Sequence, residues 1–306
     1  MDTNYSSIGY VEETTFGTTP SAALQLLRTT GGGFTPTQNT IVSQEIRADL
    51  RAGKPVRTSQ LANASINVEW SYNTLHDVLE GMLMEDWDST VLEDGTTKKS
   101  YTFEEQYEDP EISPSQYMIY KGCRIAGVSM SMGIGAIVSG TLQVMSATPS
   151  IAQASAGTGD TAETTTGSWN TVDMVDTLNE NAVALSRVVS VNLNITRSIR
   201  EKMQFGSINP FDLGTGRLIV NGSIQYHFEN DVIADAWFAF GDRSLTVNFI
   251  DEATNEFLIE IPKMKYVGDY NIERPGVDTD VLATANFEAY ATATDDALIR
   301  FTETAA

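Results

Sequence analysis

The residue types that most often carry catalysis or bind metals are few in this chain. It holds two histidines, His76 and His227, and one cysteine, Cys123. A zinc site of the structural type needs four ligands, mainly Cys and His, and a disulfide needs two cysteines. Cys123 lies in an apolar run, and each histidine lies in a segment with helical or strand periodicity. These settings favour structural roles for all three side chains.

Pairs of carboxylates are the second feature that suggests chemistry, because glycoside hydrolysis uses two carboxyl groups at a fixed separation. The chain has 41 Asp and Glu residues, so neighbouring acids arise by chance. We interpret three such pairs as solvated faces or turns: Glu104-Glu105, Asp278 with Asp280, and Asp295-Asp296. An acidic hydrolase of unknown type is therefore a less favoured hypothesis than a protein with a structural or binding role.

The glycine patterns of enzyme active sites are missing as well. The sequence has no Gly-x-Ser-x-Gly, and Gly133-Ile134-Gly135 is not followed by a helical pattern. A bend in a strand accounts better for this Gly-x-Gly. The sequence predicts a protein that is not an enzyme, with no catalytic, cofactor-binding or metal-binding residues.

Two loops are the strongest candidate site, and they suggest a contact between protein subunits. The candidate residues are Arg51, Lys54 and Arg57 in the first loop, Asp49 to Asn63, and Phe205 and Phe211 in the second loop, Glu201 to Gly216. The net charge of the chain is −22, so a neighbouring copy is the simplest acidic partner for a basic loop. Flexible hairpins with ordinary surface charge are the alternative.

Composition excludes several classes of protein. A length of 306 residues favours two domains, and 41% hydrophobic residues favour a folded chain over a disordered one. The charge of −22 argues against tight binding to nucleic-acid phosphates, which needs clustered Lys and Arg. An acidic wall would let DNA slide past, although solubility alone also explains the acidity. Neither a membrane span nor a signal peptide is predicted.

The hydrophobic pattern is mainly that of strands and turns, with two helical segments. Strands are predicted at 64–70, 101–107, 117–130, 140–148, 188–195, 217–228, 245–250, 257–272 and 285–293. Helices are predicted at Asn73 to Met84 and at Asn230 to Phe240. The expected N-caps are Asn73 or Thr74 in the first helix and Asn230 or Asp231 in the second. On the second helix, Val232, Ala236 and Phe240 are expected to share one face.

The order of these elements occurs twice along the chain. Matching landmarks are Ile46 and Ile199, each followed by Arg and 153 residues apart, Tyr101 and Leu245, 144 apart, and Leu142 and Phe287, 145 apart. A spacing near 150 residues indicates two similar domains rather than a solenoid. We predict a first domain over residues 1–150, a linker or exposed loop over 151–182 and a second domain over 183–306. Trp169 either begins the second domain or packs back on the first.

The segment from Ile8 to Pro20, IGYVEETTFGTTP, resembles the start of tail tube proteins of long-tailed bacteriophages (siphophages). Those proteins begin with a short strand and a turn similar to Glu-Thr-x-x-Gly-x-x-Pro. The features that follow are also similar: an Arg-containing strand at Glu45 to Leu50, a long loop, a strand at Ile66 to Tyr72 and a helix containing Asp77 to Gly81. The resemblance covers residues 5–148, and the second half follows it more loosely.

This resemblance implies a mainly β protein with two tandem β-sandwich domains, each flanked by one α-helix. It also implies that sheets of neighbouring subunits join into a barrel around a lumen and that the long loop reaches the adjacent ring. Six domains in each ring would require three two-domain subunits, or six subunits if the chain is not duplicated. Such a tube conducts DNA during ejection, and holds the tape-measure protein before that, in an acidic lumen. The expected location is the virion tail, after assembly in the cytoplasm of the host bacterium, with no membrane partner and no cofactor.

The main alternative is a monomeric β-sandwich module that associates with a capsid or binds a surface. It would have the same strand texture but would not polymerise as its concentration rises.

Overall fold

The computed structural model describes residues 2–46, 48–49, 51–111, 113–229, 232–274, 276–292 and 297–306. Within these residues the chain forms 17 strands and two helices of eight residues, which confirms the mainly β prediction. A short 3-10 turn, Thr3–Tyr5, precedes the first strand.

The secondary structure falls into two runs of strands, each with one helix. The first run is β1 (Ser6–Glu12), β2 (Leu24–Leu27), β3 (Gly31–Ile41), β4 (Val56–Glu69), α1 (His76–Leu83), β5 (Val91–Glu93), β6 (Tyr101–Tyr107), β7 (Gln116–Gly133), β8 (Ser139–Ala152) and β9 (Asp160–Thr161). The second run is β10 (Val175–Glu180), β11 (Val183–Ala184), β12 (Val188–Lys202), β13 (Asp212–His227), α2 (Val232–Ala239), β14 (Arg243–Ile250), β15 (Glu256–Glu273), β16 (Leu282–Ala289) and β17 (Arg300–Thr304). Below, these runs are called the first half and the second half.

One antiparallel sheet runs through both halves in the order β3-β4-β8-β7-β12-β13-β16-β15. We call it the continuous sheet. Each half adds an outer sheet, with the order β9-β2-β1-β6-β7 in the first half and β11-β10-β14-β15-β17-β5 in the second. The long strand β7 pairs with β8 along most of its length, with β6 of the outer sheet near its start and with β12 near its end. The long strand β15 pairs with β14 and β17 of the outer sheet near its start and with β16 near its end. Phe34 of β3 stacks on Tyr120 of β7 with ring centres 3.9 Å apart, and it also contacts Phe103 of β6, so apolar side chains fill the space between the sheets.

The same pairing order occurs in both halves: β1-β6-β7-β8-β4-β3 in the first and β10-β14-β15-β16-β13-β12 in the second. Each helix follows the β4-type strand. A register shift between β6 and β7 at Tyr101 and Phe103 has a counterpart between β14 and β15 at Arg243 and Leu245. This repetition is compatible with a duplicated domain, and the predicted domain boundaries stay a prediction.

Alternating burial follows the sequence pattern in the strands that were predicted. In β4, Ala64, Ile66 and Val68 are buried, and the residues between them are exposed. Cys123 is fully buried, and this burial raises the pKa of its thiol, as expected for a small core residue.

Both helices are shorter than predicted. The first begins at His76 rather than Asn73, and neither Asn73 nor Thr74 caps it: Leu75 stands at the N-cap, and the Thr74 hydroxyl bonds with that of Ser71. Ser/Thr side chains commonly bond locally outside helices, which explains the late start.

The second helix begins at Val232, and its expected caps Asn230 and Asp231 lie outside the described residues. Of the three residues expected to share one face, Ala236 is buried and Val232 is exposed, and Phe240 is exposed and lies beyond the end of the helix.

The loop boundaries also differ from the prediction. Because β3 ends at Ile41 and β4 begins at Val56, the first hairpin loop is residues 42–55, and Arg57 lies in β4. The second hairpin loop is residues 203–211, between β12 and β13. The Arg-containing strand expected at 45–50 is wrong for the described residues, since 45–46 are irregular and 48–49 form a turn; Arg47 and Leu50 lie outside them.

Residues 151–182 do more than connect the halves. They include β9, which pairs in parallel with β2, and β10 of the second outer sheet. Trp169 is buried. Its backbone N–H donates to the Trp70 carbonyl at 2.8 Å, and its ring stacks on that of Phe249 with ring centres 4.6 Å apart. Trp169 therefore contacts both halves at once.

Trp70 should be essential for stability because it is 2% exposed and packs against Trp169 and Phe257. We expect Trp70→Ala to lower the free energy of unfolding by about 3–5 kcal/mol, since it leaves a cavity between the halves. Urea unfolding of the unassembled subunit measures this change. Phe205→Ala, at a fully exposed site, is the control and should change stability by less than about 0.5 kcal/mol. Equal midpoints for the two variants would contradict this core assignment.

Candidate assembly surfaces

The structure brings the two hairpin loops to one end of the molecule. The backbone N–H of Gln60, in β4, donates to the carbonyl of Ile208, in the second hairpin loop, at 2.8 Å. The candidate basic residues Arg51, Lys54 and Arg57 are all exposed. Phe205 is fully exposed, and Phe211 is 52% exposed. Exposed aromatic and basic side chains in neighbouring loops form a surface suited to binding protein, although the predicted contacts themselves stay a prediction.

A second surface is the joint inside the continuous sheet, where β7 of the first half pairs with β12 of the second. Seven residue pairs run from Thr196 with Gly127 to Ser190 with Gly133. Val128 and Met130 of β7 and Leu193 and Ile195 of β12 are each less than 5% exposed. We call this the internal joint.

Side chains beside the internal joint also connect the halves. Arg197 of β12 donates to the carbonyl oxygens of Met82 and Leu83 at 3.3 Å each, so it satisfies the C-terminal end of α1. Asp212 of β13 accepts hydrogen bonds from Arg124 of β7 at 2.9 Å and from Lys202 at 2.6 Å. Although burial opposes it, the bond from Lys202 and the two positive charges hold the pKa of Asp212 below its ordinary value.

The C-terminal strand joins the halves at another point. β17 pairs with β15 on one side and with β5 of the first half on the other. Next to it, His76 Nδ1 lies 2.6 Å from Glu303 Oε2, and the His76 ring stacks on Trp87. Burial alone would lower the pKa of His76, but the bond to Glu303 and the charges of Glu303, Asp77 and Glu80 outweigh burial and raise it.

Several buried carboxylates were missed, because we expected Glu104-Glu105 to be solvated and that was wrong. Glu104 is fully buried and accepts the Ala156 N–H at 2.6 Å. Glu105 Oε1 accepts the Phe34 N–H at 2.7 Å, and its Oε2 accepts the Tyr120 hydroxyl at 3.0 Å. Buried carboxylates are tolerated when backbone N–H groups and hydroxyls satisfy them.

Glu13 explains the N-terminal turn motif physically. Its Oε2 accepts the Gly17 N–H at 2.8 Å, and its Oε1 accepts the Gly122 N–H at 2.9 Å and the Thr102 hydroxyl at 2.8 Å. Gly17 has a φ of 73°, a conformation that glycine adopts easily. The Glu and Gly of the motif therefore hold the turn after β1 against the outer sheet.

The solvent-facing side of the continuous sheet is mostly neutral and polar. Its residues include Thr35, Asn63, Ser65, Asn67, Gln143, Ser131, Asn192, Asn194, Ser223, Gln225, Thr284, Asn286 and Asn271. Charged residues on this side include Glu69, Lys265, Glu273 and Glu288. This side has many hydrogen-bonding groups and a modest excess of negative charge.

Among the described residues no group of three or more His, Cys, Asp or Glu is placed to hold a metal ion. In the same part of the chain neither helix is long and apolar enough to cross a membrane.

Fold and surfaces together define a β-rich structural protein with an extended sheet and two prominent hairpins. A family model for phage tail tube proteins matches residues 3–289, and the chain therefore belongs to the phage tail tube protein family. It is a structural subunit of the virion tail that self-assembles into a tube. No curated protein matches the chain.

The contact between His76 and Glu303 should make stability depend on pH. Because the folded-state pKa of His76 is raised, its contribution is full below about pH 6.5, the unfolded-state pKa, and is lost as the pH rises through the folded-state value. The stability difference between the wild type and His76→Asn should therefore shrink from pH 5.5 towards pH 8.5, measured by urea unfolding of unassembled subunits. His227→Asn is the control, because its carboxylate neighbour Asp280 is exposed and 3.9 Å away. A difference that stays constant over this range would refute the pH-dependent role of His76.

Proposed function

We propose that three copies of this chain close into a pseudo-hexameric ring and that rings stack into the tail tube of a siphophage. The observation that carries the proposal is the continuous sheet, which spans both halves and ends in β3 on one side and β15 on the other. Heterologous contacts between such edges generate a closed ring when the rotation per subunit is right. The repeated strand order supports a two-domain subunit, with domains at 1–150 and 183–306 joined through 151–182. Six subunits per ring is the alternative if each chain supplies one ring position.

The solvent-facing side of the continuous sheet would line the lumen. Its amide and hydroxyl groups are hydrated, and the charges of Glu69, Glu273 and Glu288 outnumber that of Lys265. Such a mildly acidic lumen wall offers DNA phosphates few cationic partners, so DNA would slide along the wall during ejection. The tape-measure protein would occupy the same lumen before DNA.

The hairpin loops would form the contacts between rings. Both lie at one end of the molecule, and exposed Arg51, Lys54 and Arg57 would bind an acidic surface of the next ring. Phe205 and Phe211 would bury apolar area in the same contact. This role requires no catalytic step and no cofactor, and assembly would take place in the cytoplasm of the host bacterium.

Assembly is tested directly by negative-stain electron microscopy and light scattering over a concentration series of purified protein. We expect stacked rings or hollow tubes with a central hole, and end-on averages with three identical subunits per ring. A monodisperse monomer at every concentration, even with preformed tube ends added, would favour a monomeric β-sandwich module instead. Six identical subunits per ring would refute the pseudo-hexamer.

Reversing a single charge in the first hairpin loop should impair stacking. We expect Lys54→Glu to shorten tubes or leave separate rings, because each ring repeats the change in every subunit and an acidic partner then repels it. Tube length by electron microscopy is the readout, and the urea midpoint of the unassembled subunit should be unchanged. Lys98→Glu, at an exposed lysine between β5 and β6, is the matched control and should form tubes of normal length. Normal tubes from both variants would remove this loop from the contact.

A further inference from the structure

The two halves have corresponding strand edges. Among the described residues, the end of β7 in the first half pairs with β12 of the second half, whereas the corresponding edges, the end of β15 and β3, have no such partner. Strand pairing fixes the correspondence. Paired residues form rows across neighbouring strands, and the rows of the two halves can be matched. The row Phe34–Ala64–Val144–Ile125 of the first half corresponds to Leu193–Gly222–Phe287–Tyr266 of the second. Likewise, Glu69–Ser139–Ser131 of the first half corresponds to His227–Leu282–Glu273 of the second. The start of β3 therefore corresponds to β12, and the end of β15 corresponds to the end of β7.

In the internal joint, the end of β7 is covered by β12. The end of β15 has a strand partner on one side only, β16, among the described residues. The outer edge of β3 likewise has no strand partner there. From this difference we infer that β3 of one copy pairs antiparallel with residues 270–274 of the next copy, which are the end of β15 and the residue that follows it. This pairing would repeat the register of the internal joint. The inference rests on the ring assembly proposed above.

Burial supports the same surface. Met82 and Met84, at the end of α1 beside the internal joint, are 0% and 5% exposed. Their counterparts at the end of α2, Phe238 and Phe240, are 75% and 57% exposed. The counterparts match because both helices have eight residues and are followed by a left-handed residue, Met84 or Phe240. The second half therefore exposes large aromatic side chains where the first half buries methionines. Exposed apolar side chains of this kind indicate a surface that another protein molecule covers.

The register gives specific pairs. Leu193 pairs with Met130 in the internal joint, so Phe34 should pair with Ile272 of the next copy. In the same way, Asn194 pairs with Ser129, so Thr35 should lie opposite Asn271. Gln38 takes the place that Arg197 holds on β12, which brings an amide donor near the C-terminal carbonyls of α2.

Two features of β3 modify this edge. Its Phe34 N–H points away from β4 and is bound by Glu105 in the isolated subunit, so pairing must exchange that bond for one to Ile272. Pro36 has no N–H and offers only its carbonyl. Both features restrain an edge from pairing indiscriminately, which suits a subunit that must stay soluble before it joins a ring.

The register is tested by disulfide cross-linking of assembled tubes. Thr35 and Asn271 are exposed and would form a non-hydrogen-bonded pair, where Cα atoms lie about 4.5 Å apart, within disulfide range. We expect Thr35→Cys with Asn271→Cys to give, on oxidation, a ladder of linked chains that stops at the ring size. Native Cys123 is buried and does not compete. Ser129→Cys with Asn194→Cys is the matched positive control and should link within one chain, and Thr37→Cys with Asn271→Cys is the off-register control.

The outcomes separate this inference from the proposed function. Strong linking at Thr35 and Asn271, about tenfold above the off-register pair, supports the joint. Tubes that form normally while this pair links no better than the off-register pair overturn the joint and leave the tube standing. A wild type that forms neither rings nor tubes overturns both.

Hydrogen exchange on the wild type gives a second test that needs no variant to assemble. In this register the backbone amides of Tyr270, Ile272 and Arg274 face the neighbouring copy rather than β16. They should exchange about tenfold or more slowly in tubes than in free subunits, because they enter a strand ladder. Amides in 128–132, already paired in the internal joint, are the control and should change little. Equal exchange of the Tyr270, Ile272 and Arg274 amides in both states would overturn the inference.

Discussion

Backbone hydrogen bonding between β7 and β12 is the interaction on which the rest of this structure depends. An edge strand leaves a row of N–H and C=O groups without partners, and the chain meets this constraint by pairing the edge of one half with the edge of the other. Without that ladder the continuous sheet would divide in two, and Arg197 would lose the helix end that it satisfies. A fold whose central sheet joins two halves of the same strand order through their edges contains one example of the edge-to-edge contact that the proposed ring requires. This is a physical reason why such a subunit suits the proposed assembly.

The sequence predicted strands well where burial alternates. β4, β13 and β14 lie where period-two patterns placed them, because one face of each strand meets the core. β3 was missed for the opposite reason. It opens with Gly31-Gly32-Gly33, contains Pro36 and buries only Phe34 strongly, so its sequence is more typical of a loop. Its strand conformation comes from pairing with β4, a long-range contact that no local pattern records.

The repeated order of elements was recognisable from the sequence, but the residue-by-residue correspondence between the two halves was not. The sequence landmarks made Tyr101 of the first half the counterpart of Leu245 in the second half. The strand pairing instead makes Phe103 the counterpart of Leu245. A shift of two residues keeps every side chain on the same face, so hydrophobic alternation cannot detect it. The predicted correspondence between Ile46 and Ile199 is wrong, since Ile46 lies in a loop and Ile199 lies in β12. Bulges and cross-strand partners fix a register, and these become visible only in the folded chain.

The same limit applies to charge. Composition gives the number of carboxylates but not their places, and the inference of an acidic lumen began from that number. In the structure Glu13, Glu104 and Glu105 are buried and hold turns, edges and the 151–182 segment through backbone N–H groups. The sheet face proposed to line the lumen carries mostly Asn, Ser, Thr and Gln. Passage of a polyanion needs a wall without clustered cations more than it needs a strongly negative one, because strong repulsion would itself oppose the entry of DNA. A hydrated, nearly neutral lining with a few carboxylates meets both requirements.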